Sequence, residues 1–155
     1  MLLRNSLEPS ACPLHHSGCL KKQLLISQML FPEKFHKDTL YDTLLNFGSR
    51  SNSFDKSKIT REHLVLGCQS DLYLYEVHQE GRLFFFTHTE ALISSGIAAL
   101  FSEVYSGETP VTILTCKPVF FDQLSQYLSI GRVNGGESLY MRMKQISVRY
   151  LKSSD

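Results

Sequence analysis

The stretch Leu66-Gly67-Cys68-Gln69-Ser70-Asp71 sets one thiol between a glycine and small polar residues, just ahead of an apolar, aromatic-rich run that begins at Leu72. A packing cysteine sits among apolar neighbours. Here Gly67 opens backbone angles closed to other residues, and Gln69, Ser70 and Asp71 supply turn chemistry. The pattern predicts a cysteine displayed for chemistry. Thiol chemistry runs through the thiolate, a minority species at neutral pH for a thiol of ordinary pKa about 8.5, so a nearby cation or dipole must stabilise it. Arg132, in Ser129-Ile130-Gly131-Arg132-Val133-Asn134 ahead of a predicted helix start, and His63 are the candidate cations. The ordinary role of each is a surface residue, and only a loop that folds back toward Cys68 would give Arg132 another.

The remaining reactive residues carry weaker signals. His15-His16 between Cys12 and Cys19 matches none of the common zinc spacings, so no metal site is expected there. Cys116, between Thr115 and Lys117 at a junction of two helices, reads as a packing thiol. No HExxH, GxSxG, phosphate-binding loop or dinucleotide fingerprint occurs. A hydrolase or transferase would use Cys68 as nucleophile and His63 or His88 as base, but no spacing ties either imidazole to the thiol.

These residues need a frame, and 155 residues suffice for one domain without a covalent staple. Four unevenly spaced cysteines predict no disulfide framework and favour a reducing compartment. Sixteen basic against fifteen acidic residues argue against nucleic-acid binding. No run approaches the ~20 apolar residues that span a bilayer, and the N-terminus lacks a signal-peptide pattern, so a cytoplasmic protein without a membrane partner is expected. Residues 1–19, aperiodic with Pro9, Pro13 and Gly18, read as a disordered extension. Residues 20–150 form the domain and 151–155 a tail.

Within the domain, Leu20, Leu24, Leu25 and Met29 predict a short amphipathic helix ended by Pro32. Leu40, Tyr41, Leu44, Leu45 and Phe47 predict a second, stopped by Gly48. The serine-rich segment 49–57 reads as a loop. Residues 72–77 and 82–87 form an antiparallel hairpin about Gln79-Glu80-Gly81, apolar enough on both sides to need cover on one face and partial cover on the other. Thr87-His88-Thr89-Glu90 has capping-box spacing for a long helix carrying Leu92, Ile93, Ile97, Leu100, Phe101 and Val104. Thr109-Pro110 caps a short helix, Pro118 opens another with Phe120, Phe121 and Leu124 inward, and Asn134 starts the last, with Leu139, Met143, Ile146 and Tyr150 on its stripe. The fold class is α+β, helices on a small sheet.

Val65-Leu66-Gly67-Cys68-Gln69-Ser70-Asp71-Leu72-Tyr73-Leu74 resembles the signature of the SufE-like sulfur-acceptor family, Gly-Cys-Gln-Ser followed by an apolar strand carrying an aromatic. The later landmarks follow in the same order: the Gly81 turn, Thr89-Glu90-Ala91-Leu92-Ile93, Gly96, Tyr105 through Thr109-Pro110, and Arg132-Val133-Asn134-Gly135. The resemblance runs from about Leu20 to Tyr150. It implies an antiparallel sheet of about three strands packed by helices, with Cys68 on an exposed loop. It further implies that Cys68 accepts sulfur from the persulfide of a cysteine desulfurase, whose pyridoxal phosphate belongs to that partner, stimulates that enzyme by doing so, and passes the sulfur to an iron-sulfur assembly scaffold. The chain itself would need no cofactor and would have no stand-alone turnover. Arg132 matches the family arginine that assists transfer, while Gln69 and Ser70 shape the loop. Tyr73 stands where the family has tryptophan, Lys37-Asp38 where it has Trp-Glu, and Ser129-Ile130-Gly131 where it has a proline-containing loop. An iron-sulfur scaffold is the alternative, but it needs several ligands converging on one site. A carrier thiol also needs shelter from oxidation, so Cys68 is expected to rest among apolar residues and swing out about Gly67.

Overall fold

A computed structural model describes residues 17–50 and 53–153. In chain order these form α1 (Ser17–Leu30), α2 (Lys37–Arg50), two 3-10 turns (Lys56–Lys58 and Arg61–His63), β1 (Leu72–Gln79), β2 (Arg82–Thr89), α3 (Leu92–Tyr105), α4 (Pro110–Thr115), α5 (Val119–Ser125) and α6 (Ile130–Ser153). The class is α+β. Among the described residues the sheet has two strands rather than about three. The chain only touches its edges, in single bridges between Leu64 and Tyr73 and between Leu83 and Glu108. The hairpin turns at Glu80-Gly81, both with positive φ (52° and 78°), the backbone that a two-residue link between twisted strands requires.

β1 and β2 pair antiparallel with Leu72 opposite Thr89 and Gln79 opposite Arg82. Leu72, Leu74, Leu83 and Phe85 are buried on one face and meet α3, whose Ser102 hydroxyl donates to the Phe85 carbonyl at 2.6 Å. On the other face Tyr75 stacks on Phe86 at 4.9 Å and Phe54 lies edge-on to Tyr75 at 5.0 Å. The segment read as a loop is therefore also the cover of the second face. Helix α3 is the centre of the core: Ile97, Leu100, Phe101, Val104 and Tyr105 are buried, and Phe101 packs on Phe120 and Phe121 of α5 at 5.1 Å each. Gly96 lets α2 approach closely, because a Cβ there would overlap the Leu44 carbonyl. Thr109 caps α4, accepting from the Thr112 amide at 3.3 Å, as its spacing predicts.

The sequence misplaces four boundaries. Thr87 and Thr89 lie in β2, not in a capping box: pairing with β1 outcompetes the cap, and Ala91 precedes α3 without a side-chain cap. Helix α2 runs through Gly48 to Arg50. Helix α6 begins at Ile130 instead of Asn134 and continues to Ser153, so residues 151–153 are not a tail. Helix α1 begins at Ser17, so the ordered domain takes in residues assigned to the extension; Cys12, His15 and His16 lie outside the described residues.

Helix α1 also turns a different face inward. Cys19, Gln23, Ile26 and Leu30 are buried, while Leu20, Leu24, Leu25 and Met29 are about half exposed. The inward face is chosen by specific bonds. Cys19 forms a disulfide with Cys116 across a sequence separation of 97, which corrects the reading of Cys116 as a lone packing thiol and of the chain as disulfide-free. Beside it the buried Gln23 amide donates to the Lys117 carbonyl at 2.9 Å and accepts from the Phe120 amide at 3.0 Å. A cross-link closing so long a loop restricts the unfolded chain and is worth up to about 4–5 kcal/mol. A Cys116→Ala variant under oxidising conditions should lose about that much in denaturant-unfolding stability. Equal midpoints for the parent chain with and without a thiol reductant would refute the cross-link's contribution.

Candidate functional site

The site is built where the chain leaves the sheet edge and crosses α6. The Val65 amide donates to the Leu72 carbonyl at 2.8 Å, pinching off residues 66–71 as a loop. Gly67 carries the turn at φ 96°, and a Cβ there would also press to 2.5 Å on the Ser138 hydroxyl of α6. Upstream, Arg142 of α6 donates to the carbonyls of Leu64 (3.1 Å) and Glu62 (2.6 Å), fastening the lead-in to the same helix. Arg142 gives no sign of this role in the sequence, since a helical arginine with backbone partners has no distinguishing pattern.

Gly67, Gln69, Ser70 and Asp71 are exposed, and Cys68 alone turns inward. Its Sγ makes a long contact with the Gly135 carbonyl at 3.7 Å. It lines a cavity of about 160 Å3 with Leu72, Ile93, Ile97, Gly135 and Leu139 among the walls. That volume is below the ~300–1,000 Å3 of ordinary small-molecule pockets, but it can take atoms attached to the thiol. Burial pushes the Cys68 thiol above its ordinary pKa. The resting sulfur is thus held as a neutral thiol, not the cation-stabilised thiolate expected from the sequence.

Arg132 does line the cavity, yet it sits in the first turn of α6 instead of a loop before it, its amide donating to the Ser129 hydroxyl at 3.4 Å. Its guanidinium stands 6.0 Å from the ring centroid of Tyr41 on α2, at the outer limit of a cation–π contact. The structure therefore brings Arg132 to the lip of the Cys68 cavity without an ion pair to the sulfur. His63 is not brought there: its ring bonds the Thr60 hydroxyl at 2.9 Å and lies edge-on to Tyr75. His88 pairs with Glu90 at 3.2 Å on β2. Neither imidazole lines the cavity, which removes the geometric basis for a Cys-His pair.

Three large apolar side chains lie exposed on the elements that carry the site. Leu66 in the loop, Leu92 at the start of α3 and Ile130 at the start of α6 are 79%, 71% and 79% exposed. The sequence puts Leu92 on the inward stripe of α3, but it lies at the cavity mouth. Of the three, Leu92 lines the Cys68 cavity, while Leu66 borders a separate groove over α6 with Asn134, Ser138 and Met141.

A family model described as "SufE: Fe-S metabolism associated domain" matches residues 29–147. The chain is 28% identical over 144 residues to a "Cysteine desulfuration protein SufE" of Plasmodium falciparum, covering 88% of this chain and 56% of that protein, so it spans little more than half that relative's length. It is 23% identical over 124 residues to an uncharacterized SufE-like protein of Synechocystis sp., covering 76% of this chain and 78% of the relative. The solution structure of a hypothetical protein from Thermus thermophilus superposes with a TM-score of 0.70 at 18% identity, covering 84% of this chain and 96% of that one, a likeness of fold. With the model spanning most of the described domain and the Gly-Cys-Gln-Ser turn inside it, the chain belongs to the SufE family.

Proposed function

We propose that this protein is a sulfur acceptor that takes sulfur from a cysteine desulfurase onto Cys68 and hands it to an iron-sulfur assembly scaffold. The observation that carries this reading is a single thiol on a surface loop, turned into a small cavity with exposed Leu92 at its mouth, in a member of this family. In the transfer the Cys68 thiolate attacks the terminal sulfur of the donor persulfide. One S–S bond forms as the donor's S–S bond breaks, and the donor cysteine leaves as thiolate. The Cys68 proton passes to solvent or a base of the partner. Delivery repeats the exchange with Cys68 as leaving group, so no net oxidant is required. Arg132 at the lip supplies positive charge near the sulfur once the loop is presented.

The chain's part is to hold, shelter and present a sulfur atom. We assign it no cofactor of its own and no stand-alone turnover; pyridoxal phosphate belongs to the desulfurase. We also propose a cytoplasmic setting, against which the buried Cys19–Cys116 disulfide weighs, since such bonds are rare in reducing compartments.

Incubation with a cysteine desulfurase and cysteine should add ~32 Da per transferred sulfur, the persulfide form of the thiol, localised to Cys68 by peptide mass spectrometry. Cys68→Ser should abolish the adduct and the stimulation of the desulfurase; an adduct that persists on another cysteine would overturn the assignment. Leu92→Asp should weaken half-maximal stimulation about tenfold by charging the apolar rim without lowering the unfolding midpoint, and an unchanged titration would remove Leu92 from the docking face. Because burial raises the Cys68 pKa, its alkylation rate in the free protein should rise with a midpoint above that of the same thiol in the denatured chain. Coincident pH profiles would show that burial does not restrain it.

A further inference from the structure

Helix α6 meets the cysteine loop through a run of small residues, each under one residue of the loop. Ser138 lies against Gly67, Gly135 against Cys68 and Gly131 against Gln69, so the loop runs antiparallel along one side of the helix. The spacing of four and then three residues keeps Gly131, Gly135 and Ser138 on the same helical face. Among the described residues, no backbone–backbone hydrogen bond ties residues 66–71 to another element beyond the Val65–Leu72 bond at the loop's base. The loop's placement therefore rests on side-chain contacts with α6, and such a segment opens at low cost.

The contacts are unequal. A Cβ on Gly135 would lie 3.7 Å from Sγ, ordinary van der Waals contact. A Cβ on Gly131 would overlap Oε1 and Cδ of Gln69 and press to 2.7 Å on its Nε2. Gly131 is buried although it lies in the first turn of a surface helix, and Gln69 is among the atoms that cover it. The exposed Gln69 thus places its amide group over a bare Cα, at the side of the loop away from the Gly67 pivot.

We propose that Gln69 is a positioning residue whose side chain, seated on Gly131, latches the loop to α6 and keeps Cys68 turned into its cavity until a partner displaces it. The proposal rests on the sulfur-acceptor reading for its purpose, but not for its measurement. Releasing the latch lets the loop swing about Gly67 and exposes the thiol. It also lowers the desolvation that holds the thiol neutral, so presentation and activation occur in one movement.

The test is the rate of Cys68 alkylation by iodoacetamide, followed by peptide mass spectrometry on the full chain without any partner. Gly131→Ala, which fills the seat while favouring helix, and Gln69→Ala, which removes the latch, should each raise the rate about tenfold with an unchanged unfolding midpoint, because reactivity follows the open population. The double variant should be no faster than either single one, as expected when two changes remove the same contact. Glu137→Ala, an exposed position of α6 outside the Cys68 cavity, should leave the rate near that of the parent. Unchanged rates in both Gly131→Ala and Gln69→Ala, multiplying effects in the double variant, or equal acceleration by Glu137→Ala would overturn the latch. Since no desulfurase is present, failure here leaves sulfur acceptance untouched, while a missing ~32 Da adduct in the parent chain would sink that reading and leave the latch measurable.

Discussion

The hydrogen bond from the Val65 amide to the Leu72 carbonyl, 2.8 Å long, fixes where the thiol can be. It closes the loop at the edge of the hairpin, so residues 66–71 must leave and re-enter the sheet at one point and can only fold outward over α6. The core supports that edge. Leu72 and Leu74 are buried against the central helix α3, and α3 is held from the other side by α2, which comes close enough for the Leu44 carbonyl to lie on Gly96. The α5 ring of Phe121 packs against Gly136, setting the height of α6 beneath the loop. Each step is a packing contact, and together they bring Cys68 over Gly135 with little freedom in depth.

The thiol's environment separates storage from reaction. Burial favours the neutral form, and neutral thiols are slow nucleophiles and poor targets for oxidants. Arg132 is close enough to line the same cavity but faces Tyr41, so its charge is available at the lip without fixing the resting sulfur as an anion. The small cavity has no room for an ordinary substrate. Its lining residues include no histidine, aspartate or glutamate, which leaves neither a base nor a set of metal ligands around the sulfur. On the proposed reading, the second sulfur comes from outside this cavity.

Much of this was legible in the sequence, for physical reasons that differ by element. The hairpin declared itself through two aromatic runs around Glu80-Gly81, and the Thr109-Pro110 start of α4 through cap chemistry. Cys68 stood out because polar turn residues flank it. The start of α6 was hidden by Gly131, Gly135 and Gly136, which lower helix propensity; tertiary contacts with Gln69, Cys68 and Phe121 explain their presence. The inward face of α1 was hidden because leucines stand nearly all round it, so periodicity favoured the wrong side. The Cys19–Cys116 pairing could not be read from spacing, as it joins positions brought together by α3, α4 and α5. The Thr87–Glu90 pattern fitted a cap and a strand equally, and only the register with β1 separates them.

The disulfide divides the molecule in a way that matters for the loop. Cys68 lies in the stretch of chain between Cys19 and Cys116, a covalently closed ring that contains the sheet, α2 and α3. Helix α6 lies outside that ring. The seam between the cysteine loop and α6 is therefore also a seam between the ring and the free arm of the chain, bridged by non-covalent contacts alone. A staple across that seam would have frozen the thiol in place. Set where it is, the cross-link braces the frame against wholesale unfolding and leaves the loop free to part from α6.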